Sequence, residues 1–263
     1  MPIDDLLEPA QIRPMERQDS PSGTTIPLSK RVTAEAVGTA MLLAAVVGSG
    51  IMGQRLSNGN VAMALLANSI ATGAALVALI LAFGPISGAH FNPAVTLADA
   101  TQKGLAWREV PAYLIAQCSG AVVGVMVANL MFGLPLISLS THIRSGPAQI
   151  FSEFIATFGL LAVIWGCSRT QMASVPYAVG AYITAAYWFT GSTSFANPAV
   201  TLARSLSNTF AGIRFQDTPW FICAQLAGAA VVTALFHWLN PAITDMSTQL
   251  IVPHEGNHGE IFR

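Results

Sequence analysis

Asn92-Pro93-Ala94-Val95-Thr96-Leu97-Ala98 recurs, residue for residue, as Asn197-Pro198-Ala199-Val200-Thr201-Leu202-Ala203. Each copy reads as the start of a helix. Asn is a favoured N-cap, its side-chain oxygen accepting from an orphan backbone N–H, and Pro at the first helical position gives up a donor that had no partner. The Asn amide nitrogen is then predicted to point away from its own helix. A helix from Asn92 to Thr101 is about 15 Å long, roughly half the hydrocarbon thickness of a bilayer. Two such pieces meeting end to end amount to one interrupted span.

The surrounding composition fits that reading. Hydrophobic residues make up 53% of the chain and charged ones only 10%, against about 25% charged in soluble domains, so little is left to solvate a globular surface. A net charge of −1 gives no reason to expect a nucleic-acid partner. Cys118, Cys167 and Cys223 fall in apolar runs without the spacing of a disulfide framework or zinc site and read as small buried hydrophobes. Six apolar segments stand out at about 32–53, 61–83, 109–131, 149–168, 174–190 and 219–239, most of them near spanning length. The first 28 residues carry Asp4, Asp5, Glu8, Glu16 and Asp19 among prolines and lack the apolar core of a signal peptide, so a disordered tail is expected. In the C-terminal segment, His254 and His258 are four apart, but Pro253, Gly256 and Gly259 make it turn-rich and a solvated tail rather than a metal site.

With a cytoplasmic N-terminus, six spans place Arg13, Arg17, Lys30, Arg31, Lys103, Arg108, Arg169 and Arg263 inside, and Arg55, Arg144, Arg204 and Arg214 outside. The excess of basic residues inside favours this orientation, with both termini cytoplasmic.

The repeat reaches beyond the heptapeptides. Ala34-Glu35-Ala36-Val37-Gly38-Thr39 resembles Ser152-Glu153-Phe154-Ile155-Ala156-Thr157, and Ile115-Ala116-Gln117 resembles Cys223-Ala224-Gln225. Each half runs in one order: a span with an early Glu, a second span, the Asn-Pro-Ala half-helix, a span with an Ala-Gln pair. Three spans per half is odd, so the second copy enters the membrane from the opposite side, giving an inverted repeat whose half-helices both point at the midplane.

Over about residues 30–240 these features resemble the aquaporin and aquaglyceroporin channels, the major intrinsic proteins, with Val in place of the selectivity-filter Arg. The resemblance implies an all-α membrane protein of six transmembrane helices plus two re-entrant half-helices in an inverted 3+3 repeat, assembled as a homotetramer with one pore per subunit. It divides the chain into an N-terminal tail (1–28), a channel domain (29–243, halves about 29–133 and 147–243) and a C-terminal tail (244–263). The implied setting is the plasma (inner) membrane, with water and small neutral solutes as the partners besides the lipid bilayer, and with no cofactor or metal.

Two helix N-termini facing one another put positive dipole ends at the pore centre, where screening is weak, so cations and hydronium are disfavoured and neutral solutes pass. Asn92 and Asn197 are expected to donate hydrogen bonds to a passing oxygen. The irregular stretches before each motif are expected to present backbone carbonyls, from Gly88, Ala89, His90 and Phe91 on one side and from Ser194, Phe195 and Ala196 on the other. The repeat-related Glu35 and Glu153 invite a proton-coupling reading, but the resemblance assigns them a structural role, holding loop backbone N–H groups beside each half-helix. His90 is read as structural too. Asp99 and Arg204 stand seven residues after each Asn, and Arg204 suits a half-helix C-terminus, capping it or contacting a loop rather than lining the pore.

The family builds its outer constriction from four positions, one of them an Arg three residues after the second Asn. Here that position is Val200, and the others map by spacing onto Thr72, Ala185 and Ser194. Isopropyl for guanidinium removes a fixed charge and several donors, and small companions predict an opening wider than a water-only filter. Passive passage of water and small neutral polar solutes follows. Glycerol and uncharged arsenic species are the candidates, the latter by analogy with members carrying Val there. Thr201 and Ser205 differ from the Asp and basic residue common in glycerol facilitators, which weighs against glycerol itself. A gradient-coupled secondary transporter, which also uses inverted repeats and broken helices, is the alternative, and a nonconducting junction or scaffold protein of the same fold is a third. No nucleophile, base and orienter arrangement points to an enzyme.

Overall fold

The computed structural model describes residues 26–239. The greater part of the N-terminal tail and all of the C-terminal tail, with His254 and His258, lie outside the described residues. Among the described residues there are eight α-helices: α1 (Leu28–Leu56), α2 (Val61–Ser87), α3 (Pro93–Thr101), α4 (Val110–Met131), α5 (Pro147–Thr170), α6 (Val175–Phe189), α7 (Pro198–Arg204) and α8 (Thr218–Leu239).

Five of them, α1, α2, α4, α5 and α8, are long and apolar enough to cross a membrane. The sixth expected span, 174–190, is shorter. Helix α6 has 15 residues, about 22 Å of rise, and is preceded by a single 3₁₀ turn at Met172–Ser174. Large apolar side chains cover the outside as well as the core, and some polar side chains are fully buried. Met41, Ile70, Ile115, Leu130 and Phe151 are exposed, while Glu35, Gln117, Glu153 and Gln225 have no exposed surface at all. Of the five tryptophans, Trp107, Trp188, Trp220 and Trp238 are exposed near helix ends, where an indole meets the membrane–water interface.

The inverted repeat is realised in packing. Helix α1 packs on α2 and α4, α5 packs on α6 and α8, and α2 meets α6 between the halves. The close approaches are made at glycines occupying matching places. A Cβ on Gly120, three residues after Gln117, would collide with the carbonyl of Ala36, and a Cβ on Gly228, three residues after Gln225, with the carbonyl of Phe154. Between the halves, a Cβ on Gly73 would lie 2.7 Å from the Gly180 carbonyl oxygen, and one on Gly180 2.6 Å from that of Gly73. Half-helices α3 and α7 touch each other and complete the interrupted span.

Candidate functional site

Asn92 and Asn197 cap their half-helices as their sequence context requires. The Asn92 side-chain oxygen accepts from Ala94 N–H at 2.9 Å, and that of Asn197 from Ala199 and Val200 N–H at 3.0 and 3.2 Å. Pro93 and Pro198 open the two helices. The amide nitrogens, expected to be free, are half committed. Asn92 Nδ2 donates to the Ala196 carbonyl at 2.8 Å and Asn197 Nδ2 to the Phe91 carbonyl at 2.7 Å. Each motif thus clasps the loop of the other half. Since an amide carries two N–H groups, the second on each Asn makes no hydrogen bond among the described residues.

The two loops share an uncommon backbone pattern. Ala89 and Phe91, three and one residues before Asn92, have φ of 48° and 49°; Ser194 and Ala196, in the same places before Asn197, have 49° and 50°. Left-handed conformations of this kind cost about 1–2 kcal/mol per non-glycine residue, so something must hold them. Glu35 accepts from the N–H groups of His90 and Phe91 at 2.9 and 2.7 Å, from Ser87 Oγ at 2.7 Å and from Gln117 Nε2 at 2.8 Å. Glu153 accepts from Phe195 and Ala196 N–H, both at 2.9 Å, and from Gln225 Nε2 at 2.6 Å. Gln117 and Gln225 donate onward to Thr96 and Thr201 at 2.8 Å, tying each carboxylate to its half-helix. The glutamines were visible in the sequence only as a repeated Ala-Gln pair, without a role.

Between the loops and the aliphatic faces of α1, α2, α5 and α6 lies a narrow cavity of about 70 Å³. One wall is polar, with Asn92, Asn197, Ser194 and the loop residues Ala89, His90, Phe91, Phe195 and Ala196; the other is aliphatic, with Leu42, Val46, Leu76, Ile80, Leu160 and Ile183 among its residues. Gly88 lies apart from this cavity, because it is the left-handed C-cap of α2 and its N–H returns to the Gly84 carbonyl. His90 lines the cavity while its ring is held from behind, Nδ1 at 3.1 Å from Thr96 Oγ1 and Nε2 at 3.6 Å from Asp99.

The constriction inferred by spacing is partly corrected. Thr72, Ser194 and Val200 line the cavity, but Ala185 is exposed on the far side of α6. Helical periodicity explains the difference, since α6 presents Val175, Val179, Ile183 and Tyr187 to the cavity, a run in steps of four. Tyr187 brings an aromatic to this end, its hydroxyl 3.2 Å from Thr72 Oγ1. Arg204 does contact a loop, donating from Nε to the Ala211 carbonyl, but it also lines the cavity. The end beyond Val200 therefore holds both an aromatic and a guanidinium, which the spacing argument did not find. Arg144, in the loop before α5, donates to the carbonyls of Gly212 and Ser192 at 2.9 and 3.1 Å, and burial pushes its pKa down.

A membrane-embedded passage entered by two opposed half-helices, with one wall of donors and carbonyls and one of aliphatic side chains, defines a channel rather than an enzyme. The major intrinsic protein family matches residues 22–186. Aquaglyceroporin AqpS of Rhizobium meliloti (strain 1021) is 56% identical to this chain over 212 residues, covering 81% of this chain and 91% of that protein. Aquaporin NIP1-1 of Oryza sativa subsp. japonica is 36% identical over 212 residues, covering 78% and 72% respectively. The X-ray structure of the aquaglyceroporin from Plasmodium falciparum superposes with a TM-score of 0.65 at 21% identity, covering 84% of this chain and 100% of that one, a likeness of fold. The chain belongs to the major intrinsic protein family.

Proposed function

We propose that the protein is a passive channel conducting water and small neutral polar solutes of about glycerol size, uncharged arsenic hydroxides included. The observation that carries this reading is the two-faced cavity. Its polar wall offers one N–H each from Asn92 and Asn197 and the loop carbonyls, while its aliphatic wall matches the carbon backbone of a small polyol. A solute with oxygens along one edge and carbons along the other replaces its hydration there at little cost. Both fully buried carboxylates hold loop amides, which supports passive flow over gradient coupling. The relative bearing the aquaglyceroporin name supports the solute size. We place both termini in the cytoplasm, the Arg204 end of the cavity outside, and four subunits, one pore each, in a plasma membrane.

The test is stopped-flow swelling of proteoliposomes with water, glycerol, urea and arsenite. Wild-type protein is expected to pass water and at least one of the larger neutral solutes, with flux rising linearly with concentration. Val200→Arg is expected to cut the larger solutes at least fivefold while leaving water within about twofold, because a second guanidinium one turn deeper narrows the passage. Equal solute flux through both forms contradicts the assignment of Val200 to the constriction, and saturating, sodium- or pH-gradient-dependent flux contradicts the channel reading.

A further inference from the structure

Val200 and Arg204 are four residues apart and so lie on one face of α7. Helical side chains lean toward the N-terminus, which brings the Arg204 guanidinium back over the turn occupied by Val200. The residue is 1% exposed and lines the cavity. Its Nε is committed to the Ala211 carbonyl, whereas its two terminal nitrogens make no hydrogen bond among the described residues. The guanidinium carbon stands 3.4 Å from the centroid of the Phe195 ring, and that of Arg144 stands 5.1 Å from the same centroid. Neither arginine forms an ion pair with a carboxylate among the described residues. Ser194, the chain neighbour of Phe195, is 3% exposed, lines the same cavity, and its Oγ has no hydrogen-bond partner among the described residues.

A buried guanidinium with no carboxylate in contact and a buried hydroxyl without a partner are each costly unless something passing through satisfies them. Building on the channel reading above, we propose that Arg204, displaced one helical turn from the position Val200 occupies, is the specificity-determining cation of this pore, and that its terminal N–H groups and Ser194 Oγ together form a binding subsite for the hydroxyl oxygens of a neutral polyhydroxylated solute. The Phe195 ring fixes the plane of the guanidinium, so the donors are aimed rather than mobile. Arg144 holds Ser192 and Gly212, the segments on either side of α7, and so keeps that ring and the mouth in register. Substituting Val at 200 then widens the passage without discharging it.

The test is the ratio of glycerol to water permeability, measured in the same proteoliposomes, because a ratio is insensitive to the fraction of protein that folds. Arg204→Leu is expected to lower the ratio five- to tenfold and Ser194→Ala two- to threefold, while Arg204→Lys, which keeps a charge and donors, recovers at least half the loss. An unchanged ratio in Arg204→Leu overturns the inference, as does a raised ratio, which makes the side chain a plug rather than a ligand. Failure of wild-type protein to pass glycerol overturns the polyol subsite, whereas failure to pass water and every larger neutral solute overturns the channel reading instead.

Discussion

The costliest residues in the molecule are the two buried glutamates, each accepting from two loop amides and a glutamine. Glu153→Ala orphans the buried N–H groups of Phe195 and Ala196, at about 1–3 kcal/mol per donor. A lowered unfolding temperature of the detergent-solubilised protein is the expected result, with an equal loss for Glu35→Ala because the two sites are related by the repeat. A variant as stable as wild type contradicts the role. This much was legible in the sequence, since both glutamates sat at the same place in each half. The Asn amides were legible only in part. Their capping oxygens follow from local chain chemistry, but the donation of Asn92 to Ala196 and Asn197 to Phe91 joins residues more than 100 apart and exists only once the halves meet. Arg204 is legible only in part for a related reason: it contacts a loop as expected, but it lines the cavity as well. Its sequence position gave the end of a helix, and the face it shares with Val200 became decisive only when the cavity was found on that face.

At the scale of elements, the sequence pattern places the spans and half-helices to within a few residues. Half-helix α3 ends at Thr101 as expected, while α7 stops at Arg204 after seven residues. The error over Ala185 belongs here. Spacing along the chain does not fix which face of a helix meets the cavity, and α6, which ends at Phe189 before an irregular stretch, takes its phase from packing on α2. The glycine contacts carry a sharper consequence. Gly120→Val pushes a side chain into the Ala36 carbonyl and Gly228→Val into the Phe154 carbonyl, and backbone within a helix cannot yield as a side chain does. Each substitution is expected to cost about 1–3 kcal/mol or more, read as a similar drop in melting temperature for both. A drop confined to one of them contradicts the structural equivalence of the halves.

For the whole molecule, the arrangement explains how a protein holds open a path for neutral molecules without admitting charge. Exposed aliphatic side chains face lipid, interfacial tryptophans mark the helix ends, and the buried polar groups collect where the halves meet. Non-helical backbone survives at that depth because the glutamates and the reciprocal Asn bonds satisfy it. Two half-helix N-termini converge there, each adding roughly half a positive charge, with Arg204 further along the same path. Solute flux and charge exclusion are therefore two readings of one geometry. The most direct measurement follows both at once, in proteoliposomes loaded with a pH-sensitive dye, given an outward osmotic gradient and an imposed pH difference of about one unit. Fast, linear swelling with water and glycerol is expected while the pH difference decays no faster than in protein-free vesicles; a decay that accelerates with the amount of channel reconstituted would contradict the account.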